Sequence, residues 1–186
     1  MQAMETTDST VEAMEKAFSQ MPSEIVGLLL SVTEPEAITW SRINMPMFIG
    51  FAPHGAYLAS TPLAFPEDAG EPTLLPICSA GMVYADHYTV KPYDNKPGKV
   101  ASIDAKLFHE AYTKVCEAIK EKPMKLSQLV EIVKPMFEPA DCQQNASLLY
   151  SIFYSLNKQG LLNVQEVRVP GARDDLDAPE LRVSLK

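Results

Sequence analysis

Val11, Met14, Ala17, Phe18 and Met21 recur three and four residues apart, the spacing that gathers apolar side chains on one face of a helix. Ser9-Thr10-Val11-Glu12 has the form of a capping box: the Ser9 hydroxyl can accept the third amide, and Glu12 can return to the cap. Pro22 stops this helix. Residues 25–32 (IVGLLLSV) then run apolar without interruption, bounded by Pro22-Ser23 and Glu34-Pro35-Glu36. A short unbroken run between turns predicts a strand buried on both faces, which needs a covering layer on each side. The preceding helix can supply only one.

Residues 40–63 (WSRINMPMFIGFAPHGAYLASTPL) alternate between short apolar segments and turn residues. The pattern predicts strands at 38–42, 47–51 and 56–60, divided by turns at Ile43-Asn44-Met45-Pro46 and Ala52-Pro53-His54-Gly55, a meander of hairpins. Residues 64–76, with three prolines and three acids, read as a surface loop. Residues 81–93 read as one edge or ribbon strand, with Val83, Ala85, His87 and Thr89 on one face and Tyr84, Asp86, Tyr88 and Val90 on the other. Asp94-Asn95-Lys96-Pro97-Gly98 marks a linker.

From Ile103 the period changes to helical. Leu107, Phe108, Ala111, Tyr112, Val115, Ala118 and Ile119 form one stripe behind an Asp104 cap. Leu126, Leu129, Val130, Ile132, Val133 and Met136 form a second, opened by Lys125 or Ser127, and residues 146–156 form a third helix, closed by Gly160. A strand at 162–169, a charged loop at 170–180 and a strand at 181–185 complete the order of a winged-helix-like module. The fold class is α+β, with a first domain at 1–93, a linker at 94–102 and a second domain at 103–186.

Charge sharpens that division. Of the net −8, residues 1–98 carry all: Lys16, Arg42, Lys91 and Lys96 stand against twelve acids, whereas residues 99–186 hold twelve basic and twelve acidic groups. An acidic first half disfavours phosphate-backbone binding, which needs a basic surface. Cys78, Cys116 and Cys142 are widely spaced and form no CxxC pair, as expected of reduced thiols in a cytoplasmic protein. No apolar run approaches the ~20 residues of a membrane span, and the acidic start is unlike a signal peptide.

Candidate chemistry is sparse. Arg42, at a strand end, reads as a hydrogen-bond or ion-pair partner. His54 reads as a solvated turn residue, with no carboxylate at evident spacing. His109 and Cys116 share a helical face but stand ~10 Å apart along it, too far to pair. Asp86 and His87, adjacent on a strand, should point to opposite faces. No catalytic, cofactor or metal-ligand set emerges. Nor does a DNA reader: residues 146–156 expose Tyr150, Ser151, Tyr154 and Ser155 with Lys158 the one cation near, and the wing at 171–177 is net acidic.

Five pieces in order carry a family resemblance: Ser41-Arg42, Pro46-Met47-Phe48-Ile49-Gly50, His54-Gly55, Tyr57-Leu58-Ala59-Ser60-Thr61 and Gly81-Met82-Val83. Over residues 10–93 the chain resembles the later half of a class II glutamine amidotransferase domain, the N-terminal-nucleophile glutaminase of glucosamine-6-phosphate synthase (glutamine–fructose-6-phosphate aminotransferase). The resemblance implies a partial α/β sandwich. It also implies what is missing: the family's nucleophilic cysteine, its glutamine-binding Arg and Asp and its oxyanion-hole Asn-Gly belong to the earlier half, and Thr61 stands where the family has Asp.

The expectation is therefore the scaffold side of a glutaminase, inactive alone, whose catalytic half comes from a second chain or a missing segment. The alternative is a non-catalytic interaction or regulatory protein, needing no partner beyond itself as a monomer or homo-oligomer, with a degenerate amidotransferase-like domain and a winged-helix protein-binding module. A DNA-binding regulator ranks third. Neither nucleic acid nor membrane is an expected partner.

Overall fold

The computed structural model describes residues 9–20, 25–95, 98–171 and 176–186. The expectations for residues 1–8, Met21, the Pro22 stop, Lys96-Pro97 and the charged tip of the wing (172–175) lie outside the described residues. The chain is α+β and divides into two units, one of residues 1–102 with 139–147, the other of 103–138 with 148–186. Residues 139–147 thus group with the first unit, not with the helices around them in sequence.

In the first unit, helix α1 (Thr10–Ser19) buries Ala13 and Phe18. Ser9 has the extended backbone of a cap but makes no side-chain cap bond, so the expected capping box does not form. Strands β1 (Val26–Leu30), β2 (Ile38–Arg42), β3 (Phe48–Ala52), β4 (Gly55–Ala59), β5 (Thr73–Leu74), β6 (Ser79–Val83) and β7 (Lys91–Pro92) follow. They form two antiparallel sheets, β1-β2-β6-β7 and β4-β3-β5. The expected hairpin meander through 38–60 is half right. β3 and β4 pair as a hairpin, but β2 pairs with β1 and β6, and residues 43–47 carry the chain from one sheet to the other.

The layers follow from alternation along the strands. Val26, Trp40 and Val83 point from the first sheet into a core with Met47, Ile49 and Leu75. The opposite side packs Phe18, Met14 and Val11 of α1 around Ala80, Cys78 and Tyr93. The order is helix, sheet, sheet. Gly27 lets the helix approach: a β-carbon there would stand 2.7 Å from Cζ of Phe18. Behind the second sheet, the ring of Phe65 and the carbonyl of Ala69 close over Gly50, so the expected 64–76 loop is partly packed, with Ala69 and Leu75 buried.

β1 overturns its expectation. It is a terminal strand of its sheet, not a strand buried on both faces. Leu28 is 53% exposed, Leu30 77% and Val32 97%. A continuous apolar run looks the same whether it lies in the middle of a sheet or at its edge. The 81–93 strand is also broken. Tyr84 N–H donates to the His87 carbonyl and Thr89 N–H to that of Met82, folding a tight turn between β6 and the following residues. Nor is the linker at 94–102 free: Lys99 N–H donates to Asp141, and Val100 bridges to Cys142.

The second unit opens with α2 (Ala105–Glu121), whose cap Asp104 accepts the Leu107 N–H at 2.7 Å. It buries Ala111, Val115 and Ile119, the apolar stripe read from the sequence. β8 (Met124–Lys125) and α3 (Leu126–Val133) follow. α3 ends three residues before Met136, because Pro135 cannot donate the next helical hydrogen bond and the chain tightens into a 3-10 turn. α4 (Asn145–Lys158) ends where Gly160 turns left-handed (φ 70°) and Leu161 N–H closes on the Leu156 carbonyl. β9 (Leu162–Pro170) and β10 (Asp177–Leu185) complete a sheet ordered β8-β10-β9. β10 starts four residues earlier than Leu181. Pro179 is tolerated within it because β8 pairs only with Arg182 and Val183, leaving β10 flanked by β9 alone at Pro179. Among the described residues no helix is long and apolar enough to cross a membrane.

Candidate functional site

Arg42 ends β2, at the point where the chain leaves one sheet for the other, and it is fully buried. Its Nε donates to the Met45 carbonyl at 2.6 Å, and one terminal nitrogen donates to the Leu75 carbonyl. The other reaches the Asn44 carbonyl (3.3 Å), Gln144 Oε1 (2.8 Å) and Ser147 Oγ (2.8 Å). All these acceptors are neutral. Burial therefore pushes the guanidinium down to about 10, against the opposing influence of Cys78. The node extends outward: Gln144 Nε2 donates to the Ala101 carbonyl at 2.8 Å, and Asn44 Nδ2 donates to that of Gln143 at 3.0 Å. Arg42 thus acts as a hydrogen-bonding post between the β2–β3 crossing and residues 143–147. A planar fork of five donors suits that role.

The remaining candidates lie at the surface. His54 Nε2 is 2.6 Å from the Tyr57 hydroxyl, and its Nδ1 is 3.8 Å from Asp68. The tertiary fold supplies a carboxylate that the local sequence does not show, but His54 and Asp68 are both more than half exposed, where an ion pair contributes little. Asp86 and His87 do not diverge as strand neighbours would. They sit in the turn after β6 with Nδ1 and Oδ1 2.7 Å apart, which lowers the Asp86 carboxyl, and the imidazole stacks on Tyr84 at 4.4 Å.

His109 is exposed and Cys116 half-buried on α2, where burial pushes the thiol up, opposite to what a nucleophile requires. Cys78 and Cys142 are buried. Tyr150, Ser151, Tyr154 and Ser155 are half-buried rather than displayed, and Lys158 lies 5.6 Å from the Tyr154 ring centre. Among the described residues no group of three or more His, Cys, Asp or Glu is placed to hold a metal.

A cleft opens in the first unit beside the β1 edge. The second sheet covers only part of the inner face of the first, and Leu28, Leu30, Ile38 and Val83 line one wall. Ala56 and Leu58 of β4 line the other, around a volume of about 480 Å³. A neighbouring space of about 320 Å³ continues between Val26 and Leu28 of β1 and Leu58 and Ala59 of β4. β1 and β4 are each a terminal strand of their sheet, so both sheets present an edge to this cleft. The sequence does not show this cleft, because the apolar β1 run reads as core. No family model matches this chain, and neither a curated protein nor a solved structure matches it.

Proposed function

We propose that this chain is the scaffold side of a class II glutamine amidotransferase-like protein, of the glucosamine-6-phosphate synthase type, followed by a winged-helix-like module. The single observation that carries this reading is an unfinished sandwich. Two packed antiparallel sheets and one helix layer leave the edges β1 and β4 side by side on an apolar cleft. Part of each of four resemblance motifs lies on a strand of these sheets: Ser41-Arg42 in β2, Phe48-Ile49-Gly50 in β3, Tyr57-Leu58-Ala59 in β4 and Gly81-Met82-Val83 in β6. The chain's thiols are inside the fold or raised by burial. In this reading the nucleophile comes from a separate catalytic half, and the scaffold completes the sheets around it.

The test combines the purified chain with the first half of a glucosamine-6-phosphate synthase glutaminase domain and measures glutamate released from glutamine. Release only when both are present is the expected result. A stable complex of the two without glutamate release would overturn the reading. The second reading, a non-catalytic interaction protein, draws on exposed apolar residues in the other unit, where Val164 and Leu181 lie on one face of the β9–β10 ribbon. It predicts a cooperative melt of the chain alone and no activity with the added half.

A further inference from the structure

We infer that the β1 edge is a strand-addition site for a separate polypeptide that inserts an extended apolar segment flanked by basic residues. The backbone phase comes first. Ile43 N–H donates to the Ile25 carbonyl at 2.9 Å, and β1 runs antiparallel to β2 with Gly27 opposite Ser41 and Leu29 opposite Thr39. Residues 25, 27 and 29 therefore turn their N–H and C=O groups toward β2. By the alternation of an antiparallel ladder, Val26, Leu28 and Leu30 turn theirs toward the open edge. An edge carrying a row of outward amides and carbonyls is a template for another strand.

Side chains reinforce the backbone. Leu28 and Leu30 lie on the face shared with Trp40 and Ile38, where the second sheet does not reach, and their exposure leaves an apolar wall beside the outward amides. β1 holds none of the charges, prolines or bulges that protect free edges.

The occupant's chemistry follows from charge. Glu36 is the one charged side chain in the cleft lining among the described residues, and the exposed Asp86 follows Tyr84 and Ala85 of that lining. Beyond β1 the chain continues through Glu34 and Glu36, in a half that carries the whole net −8. A second copy would set acidic flanks against acidic flanks. A strand with Lys or Arg at its ends meets them favourably. The inference stands on the strand edge and not on the amidotransferase reading. A failed glutaminase assay leaves it intact, and a failed peptide titration leaves that assay open.

The experiment titrates the full chain with a synthetic peptide of alternating valine and threonine carrying a pair of lysines at each end. A second peptide replaces the lysines with glutamates. The expected result is slowed amide exchange at Val26, Leu28 and Leu30 with Gly27 and Leu29 unchanged, and roughly tenfold weaker binding of the glutamate peptide. Leu30→Lys, at a site exposed enough to leave folding intact, weakens the lysine peptide by about tenfold or more. Val164→Lys, in the other unit, leaves it unchanged. Equal binding of both peptides would overturn the inference. So would exchange protection that ignores the alternation, or no protection. Concentration-dependent protection of the same amides without peptide would also overturn it, by making a second copy the occupant.

Discussion

Arg42 donates to Gln144 Oε1 at 2.8 Å, a buried bond between residues 102 positions apart. It joins the end of β2 to a segment that follows two helices in sequence and yet groups with the first unit. Arg42→Met removes the donors and strands the Leu75 and Met45 carbonyls and the Gln144 side chain. A loss of about 3 kcal/mol in unfolding free energy is expected, measured by denaturant titration. Arg42→Lys retains a charge but not the planar fork, so most of the loss persists. Wild-type stability in Arg42→Met would contradict the structural role.

Glu15 supplies an acid-sensitive tie within the first unit. Burial works to raise its carboxyl, but the Asp94 N–H at 2.8 Å and Lys91 at 2.9 Å outweigh it, and the net direction is down. A carboxylate lowered in the folded state contributes stability above its unfolded value of 4.5 that is lost as pH falls through the folded value. Glu15→Gln should therefore lower stability by about 1 kcal/mol at pH 7 and flatten the fall in stability below pH 4.5. Melting curves of both proteins across pH 3 to 7, on the order of the carboxylate range, check this. Parallel curves would remove Glu15 from the acid transition.

Tyr93 makes the opposite test at high pH. Burial pushes its phenol up to about 12, against the hydrogen bond with Ser41. The neutral form is thus favoured in the folded state. Its stabilisation is complete below the unfolded value of 10.0 and is lost as pH rises toward 12. Absorbance titration of the folded protein should show the Tyr93 phenol ionising late, near 12 or with unfolding. Tyr93→Phe should abolish that late step. Retention of the late step in Tyr93→Phe would assign it to another residue.

The second unit was more legible than the first, and its contacts explain why. Asp104 caps α2, the Val115–Ile119 stripe is buried, and Gly160 ends α4, each of which depends on residues a few positions away. The first unit depends on distant pairings. β2 lies between β1 and β6 rather than beside β3, and Asp68 meets His54 across a loop. The Arg42 site was half visible. A lone arginine in an apolar stretch marks a special position, but nothing near it names Gln144 or Ser147.

The sequence by itself determined the α+β class, the helical periods and the acidic first half, because these depend on side-chain type and local spacing. Tertiary structure alone decided which strands are neighbours and therefore which apolar residues are core. Trp40 and Leu28 stand opposite each other on adjoining strands, yet the tryptophan is fully buried and the leucine is half exposed. The difference is not in their hydrophobicity. The second sheet extends far enough to cover one and not the other, and packing of that kind is a property of the assembled layers.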